Sequence, residues 1–148
     1  MVKQLDENHP LLPEHVGLDL FRAALAWKAR LESAMVARGH VWYGDARGAV
    51  AAHLDPRGLS QSELVARMGL SKQAVQQLLD SLEADGVVRR EPDPTDGRSK
   101  RVVYTAKGLR ALHDGVEVKR NIEAEYREKL GPRGYEAFVG ALRKLARP

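Results

Sequence analysis

The sequence predicts a mainly α-helical fold carrying one small β-hairpin. Three observations lead there. Apolar residues recur at helical spacing over most of the 148 residues, while only residues 87–90 and 101–105 read as short strands rich in β-branched or aromatic side chains. Between those two runs lies Pro92-Asp93-Pro94-Thr95-Asp96-Gly97-Arg98, which cannot continue a helix and is too polar to bury. With no internal repeat and no low-complexity segment, the chain reads as one domain, long enough to bury a core without covalent staples.

In chain order, Pro10 and Pro13 flank Leu11 and Leu12, which suggests an extended arm laying two leucines on another surface. Residues 16–39 form a long helix with two apolar stripes, Leu18, Phe21 and Leu25 on one and Leu20, Ala24, Trp27, Leu31 and Ala34 on the other, as in a helix gripped from two sides. Val41-Trp42-Tyr43-Gly44 is an apolar connector. Asp45 then caps a short helix running through Leu54, with Ala46, Ala49, Val50 and Leu54 inward, and Asp55-Pro56-Arg57-Gly58 is a turn.

Two capped helices follow. Ser60 caps the first while Glu63 reaches back to it, and Leu59 clasps Leu64. Leu64, Val65 and Met68 form its apolar face and Gly69 ends it. Ser71 caps the second, with Leu70 set to clasp Val75. Ala74, Val75, Leu78, Leu79 and Leu82 form one stripe, and Lys72, Gln73, Gln76, Gln77 and Asp80 the polar face. This is the spacing of a helix-turn-helix, whose second helix lies in the DNA major groove. Glutamine can bond an adenine edge bidentately and lysine can donate to guanine or phosphate. The hairpin after Gly86 then reads as a wing. Residues 86–110 hold seven basic residues (Arg89, Arg90, Arg98, Lys100, Arg101, Lys107, Arg110) against Glu91, Asp93 and Asp96, a surplus equal to the net +4 of the whole chain.

Thr105 caps a long helix in which Leu109, Leu112, Val116, Ile122 and Tyr126 recur at helical intervals to about residue 130. Gly131-Pro132 stops it and starts another, made amphipathic by Tyr135, Phe138, Val139, Leu142 and Leu145. The terminal helices carry more apolar surface than one small winged helix absorbs. A second copy is expected, because paired recognition helices must sit about 34–36 Å apart on DNA.

Leu-Ser-Gln-Ser-Glu-Leu-Val-Ala-Arg-Met-Gly-Leu-Ser (59–71), Leu-Glu-Ala-Asp-Gly-Val-Val-Arg-Arg (82–90), Asp-Pro-Thr-Asp-Gly-Arg (93–98) and Tyr-Thr-Ala-Lys-Gly (104–108) together resemble the MarR family of bacterial transcription regulators, over about a third of the chain. The chain departs from that pattern at Gln77, a position often basic, and at Tyr104, usually leucine. The resemblance implies a homodimer in which the first and last helices interlock. It also implies a wing tip fixed by Asp96 with Arg98 in the minor groove, and a cleft near Trp27, Trp42 and Tyr43 whose walls would suit a flat aromatic ligand. Core packing is the alternative for those three aromatics.

Other classes fit poorly. There is no Gly-rich phosphate loop, nucleophile elbow or His-Glu-x-x-His motif, so no catalytic residue is assigned and no enzyme is expected. Zero cysteines exclude thiol-based sensing, and His40, His53 and His113 show no close metal-ligand spacing, so neither metal nor cofactor is expected. The N-terminus lacks a secretory pattern and no apolar run approaches a membrane span, which predicts a cytoplasmic protein. The pI near 9.5 permits nucleic-acid binding without requiring it.

The sequence thus predicts a single domain with a winged-helix DNA-binding lobe (residues 41–105) and a helical dimerisation lobe (residues 1–40 and 106–148). The DNA contacts fall to Ser71, Lys72, Gln73, Gln76, Gln77, Arg98, Lys100 and Arg101, on a palindromic double-stranded operator. A homodimeric repressor released by a small aromatic ligand is the functional reading. An activator, or a winged helix used only to bind protein, are the alternatives.

Overall fold

The computed structural model describes residues 15–147, so the arm around Leu11 and Leu12 lies outside the described residues. The first helix, α1 (Val16–Ala37), is opened by His15, whose Nδ1 accepts the Leu18 N–H at 3.3 Å. It buries only Leu31 and Met35. A 3-10 turn (Val41–Gly44) follows, then α2 (Gly48–His53).

That helix starts later than the sequence suggests. Asp45 does not cap it; its carboxylate accepts the Arg47 N–H at 2.9 Å and holds the Arg47 guanidinium at 2.6 Å. These contacts keep the Asp45 carboxyl below its ordinary range, the guanidinium contributing most. Val50 and Leu54 face the core as expected, but Ala46 and Ala49 are exposed.

The helix-turn-helix forms where its caps place it. Ser60 Oγ accepts the Glu63 N–H at 3.2 Å and opens α3 (Gln61–Met68). Its hydroxyl also faces the Glu63 carboxylate at 3.5 Å, a bond between the two side chains where a reach back to the cap backbone was expected. Gly69 closes the helix at φ +64°, a left-handed conformation in which a side chain would be strained. Ser71 Oγ accepts the Ala74 N–H at 3.1 Å and opens α4 (Lys72–Ala84), whose Val75, Leu79 and Leu82 are fully buried. Leu70, expected to clasp Val75, is 46% exposed.

The sheet has three strands where two were expected. Leu59–Ser60 (β1) pairs antiparallel with Lys100–Tyr104 (β3), which also pairs with Val88–Pro92 (β2), giving the order β1-β3-β2. Leu59 lies opposite Val102, and Val102 lies opposite Arg90. Two residues are too few to show a period of two, so β1 has no signature of its own.

Thr105 and Gly108 join the sheet to the last helix, α5 (Ala106–Leu145). Thr105 Oγ1 accepts the Gly108 N–H at 3.2 Å and donates to the Gly86 carbonyl at 2.5 Å, while the Thr105 N–H reaches the Val87 carbonyl at 3.0 Å. The first turn of α5 therefore lies directly on the chain leaving α4. A Cβ on Gly108 would stand 2.2 Å from the Val87 carbonyl oxygen, so only glycine fits.

The buried face of α5 is Gly108, Ala111, Gly115, Val118 and Ile122; of the expected stripe Ile122 is buried and Leu112 and Tyr126 pack against the core, while Leu109 and Val116 are 48% and 45% exposed. Small residues let α1 approach, and Met35 packs against Gly115 with its side chain fully buried. Arg38 reaches Glu117 at 2.8 Å, His40 Nε2 meets Asp114 at 2.6 Å, and Arg30 pairs with Glu125 across the same helices. The helix breaks at Gly131 (φ 70°, ψ 160°) ahead of Pro132, as expected, and Arg127 braces the bend 4.3 Å over the Tyr135 ring. The core is one continuous cluster running from Leu31 and Met35 through Leu64, Leu79 and Val102 to Ile122. Each fully buried leucine or methionine in it contributes roughly 1.5–3 kcal/mol. Among the described residues no helix is long and apolar enough to cross a membrane.

Candidate nucleic-acid interface

The apolar stripe of α4 decides what the opposite face presents. With Val75, Leu79 and Leu82 locked inward, Ser71, Lys72, Gln73, Gln76 and Gln77 are all exposed. Asp80 shares that face but pairs with Arg90.

The wing tip is held by its own backbone. Asp93 is buried, and its carboxylate accepts the Thr95 N–H at 2.9 Å and the Thr95 hydroxyl at 2.7 Å, bonds that keep its pKa below the ordinary carboxylate range. The Asp93 N–H reaches the Ser99 carbonyl at 3.0 Å, closing the tip. Asp96 accepts the backbone N–H of Arg98 at 3.0 Å. The expected tie between Asp96 and Arg98 is thus made to the backbone, which leaves the exposed Arg98 guanidinium without an acidic partner among the described residues.

Most of the positive charge counted in the wing is engaged elsewhere. Arg89 pairs with Glu91 at 3.1 Å, Arg90 holds Glu83 at 2.8 Å, and Lys107 donates to the Asp85 carbonyl at 2.7 Å. The guanidinium of Arg101, expected on DNA, donates to the carbonyls of Arg57 at 2.5 Å and Gly58 at 3.4 Å and so fastens the turn before β1. Position and partner, not composition, decide which cations are available. Arg98 and Lys100 are the expected wing contacts that remain unpaired among the described residues. They line a cleft of about 440 Å³ together with Lys72 and Gln76 of α4. Helix and wing therefore face a common space edged with positive charge.

The three aromatics named for a ligand cleft differ in how far they are buried. Trp42 is 4% exposed and part of the core, and Trp27 and Tyr43 are half-buried against it. The Trp42 and Tyr43 rings lie 5.1 Å apart at 52°, and burial pushes the Tyr43 hydroxyl's pKa upward. Trp42 Nε1 and the Tyr104 hydroxyl are buried without a hydrogen-bond partner. Of the histidines, His113 does stand near carboxylates, with its ring, Asp114 and Glu117 offering atoms within 4.8 Å of one another. The i,i+4 pair of His113 and Glu117 is thus a ligand spacing that the sequence reading passed over. Arg38, at 2.8 Å from Glu117 and 3.6 Å from Asp114, already supplies the positive charge there.

Comparison with known proteins agrees with this architecture. The MarR family model matches residues 46–99, from the start of α2 through the wing tip. The transcriptional regulator HosA of Escherichia coli O111:H- is 30% identical over 91 residues, covering 62% of this chain and 67% of that protein. The chain belongs to the MarR family. It is a transcriptional regulator with a winged-helix DNA-binding fold, and the family and its relatives are regulators and not enzymes. Two solved structures of CouR are each 25% identical to it. The transcriptional repressor CouR bound to a 23-mer DNA duplex superposes with TM-score 0.69 over 90% of this chain and 93% of that one. CouR from Rhodococcus jostii RHA1 bound to p-coumaroyl-CoA superposes with TM-score 0.67 over 91% and 94%.

In this MarR-family chain, sequence reasoning missed the residues that set the wing against the helix. Glu83 on α4 accepts the Arg90 backbone N–H at 2.9 Å and its guanidinium at 2.8 Å, and Asp80 takes the same guanidinium from one turn earlier. The Glu83 carboxyl lies below its ordinary range, first because of that backbone N–H. Arg47 braces the same end of α4 from another side, joining Ser81 at 3.3 Å and Asp85 to the start of α2. The available signal was two acids one turn apart on α4 followed by an arginine on the next strand, a pattern that gains meaning only once strand and helix are known to be neighbours.

Proposed function

We propose that this MarR-family regulator is a homodimeric repressor that binds a palindromic operator through Ser71, Lys72, Gln73, Gln76 and Gln77 on α4 and Arg98 and Lys100 on the wing. Residues 41–105 serve as the DNA-binding lobe, and residues 1–40 with 106–148 as the dimerisation lobe. Arg101 acts by fastening the wing's base and not as a primary DNA contact. The observation that carries the reading is the shared cleft: an uncommitted polar helix face and two unpaired wing cations border one space, as a major-groove helix with an adjacent wing requires. The relative CouR, bound to a DNA duplex, supports it.

Dimerisation rests on apolar surface that a lone chain leaves open. Phe21 is 61% exposed, Leu25 50% and Leu145 71%, all on the first and last helices. A partner copy burying them would also fix the spacing between two α4 helices. Release is proposed to follow from a small aromatic ligand that binds better to a lobe spacing unable to span two major grooves, lowering DNA affinity by that difference and no more. CouR bound to p-coumaroyl-CoA lends support to an aromatic ligand. Trp27 and Tyr43, half-buried, are the accessible part of the proposed pocket, and Trp42 is its floor.

The test is selection of bound duplexes from random DNA by the full chain. A palindromic winner supports the repressor reading. Retention of all duplexes alike, with affinity set by salt alone, overturns sequence-specific binding and leaves a general basic surface.

A further inference from the structure

We infer that the operator half-site is built of consecutive A·T pairs, read by the glutamines of α4 in the major groove, so that the neighbouring minor groove that the family resemblance gives to Arg98 is a narrow one. This rests on the proposed DNA-binding function and adds to it the chemical class of the sequence.

The helix provides the first reason. Gln73 and Gln77 stand one turn apart, with Gln76 between them, all exposed on a face that carries no arginine. Guanine presents two acceptors in the major groove, a pattern that arginine or lysine satisfies with two donors; a glutamine set there leaves its amide oxygen unpaired. Adenine presents an acceptor and a donor, which one amide matches. Four residues of helix advance about 6 Å, and base pairs step by about 3.4 Å, so the three amides cover neighbouring pairs and not scattered ones. Asp80, the group on this face that could accept from cytosine, is held by Arg90. Lys72 at the first helical position is the one cation of the face and sits beside the wing, where phosphate is the nearer partner.

The wing provides an independent reason. Arg98 is exposed on a tip closed by the Asp93–Ser99 and Asp96–Arg98 hydrogen bonds, and its guanidinium has no acidic partner among the described residues. A guanidinium at the tip of a stiff projection, with Lys100 behind it on β3, suits the enhanced negative potential of a narrow A-tract groove. Three of the other basic residues of the hairpin, Arg89, Arg90 and Arg101, are engaged within the protein. The hairpin's general cationic footprint is thereby reduced to Arg98 and Lys100.

The two grooves can be tested separately on the highest-affinity duplex that selection returns. An inosine·cytosine pair carries guanine's pattern in the major groove but lacks the minor-groove amino group. A diaminopurine·thymine pair keeps adenine's major-groove pattern and adds that amino group. Inosine·cytosine at the pairs under α4 should weaken binding roughly tenfold or more per pair, whereas diaminopurine·thymine at the same pairs should change it little. In the flanks under the wing the order should reverse, and Arg98→Ala should abolish the flank effect alone. Gln73→Ala and Gln77→Ala, both at exposed positions, should erase the discrimination under α4 while leaving the flank response intact. A selected palindrome rich in G·C under α4, or equal losses from both analogues at every position, overturns the inference and leaves specific DNA binding standing. Failure to select any sequence overturns both.

Discussion

The two parts of the molecule solve the burial problem differently. From α2 to β3 the elements close on each other: Leu64, Val75, Leu79, Leu82, Val88 and Val102 are essentially inaccessible within one chain. Helix α1 spends 22 residues to bury two of its own. The winged-helix part buries its apolar residues within the chain, whereas the helical part keeps Phe21, Leu25 and Leu145 exposed. A DNA-reading surface must be rigid, and a spacing that can be altered must lie in contacts between bodies.

Substitutions that act inside the self-contained part should cost most. Gly108→Ala would drive a Cβ into the Val87 carbonyl, and since that clash is with backbone it should cost about 3 kcal/mol or more, read as a lower denaturation midpoint with an unchanged slope. A Gly108→Ala chain of normal stability would show that the junction of sheet and α5 is looser than the geometry states. In the open part, Phe21→Ser with Leu25→Ser should leave the chain folded but shift it toward monomer in sedimentation, with operator binding weakened in parallel. A stable dimer after both changes would move the interface away from α1.

Smaller effects separate caps from contacts. Ser71→Ala removes the acceptor of the Ala74 N–H and should cost about 1 kcal/mol of stability without exchanging one preferred base for another. The smallest expected effect is on acid sensitivity. Glu83 has its carboxyl pKa lowered from an ordinary 4.5 by the Arg90 N–H, so its contribution is full at neutral pH and fades as pH falls below 4.5 through the folded value. Glu83→Gln should therefore flatten the loss of stability below pH 4.5, measured by denaturation at several pH values. An unchanged acid slope would mean that the tie between helix and wing does not respond to this carboxyl.

The same contrast explains what could be read from the sequence. Caps are written within four residues, so Ser60, Gly69, Ser71 and Thr105 were legible, as were the α4 stripe and the break at Gly131. The strand Leu59–Ser60 was not, because two residues carry no period and its partner lies some forty residues on. The inner face of α5 was legible only in part, at Ile122, because Gly108 and Gly115 look like spacers until Val87 is placed against the first and Met35 against the second. For the interface, the glutamines of α4 and the arginine of the wing tip lay where expected, but the count of positive charge did not say which cations were engaged. Arg101 and Arg90 show why: their partners, Gly58 and Glu83, become neighbours only through the fold. Trp42 went into the core for a related reason, since an aromatic residue on a short connector looks the same whether it meets a ligand or its own hydrophobic cluster.

On the proposed function, the winged-helix part reads DNA and the helical part sets the spacing between two readers. The direct measurement is protein-to-DNA stoichiometry by sedimentation on the selected palindrome and on a duplex carrying one half-site, each at several salt concentrations. Two copies bound to the palindrome, with the half-site duplex far weaker and its salt dependence about halved, is the expected result. One copy bound to a half-site with the full affinity of the palindrome would contradict it.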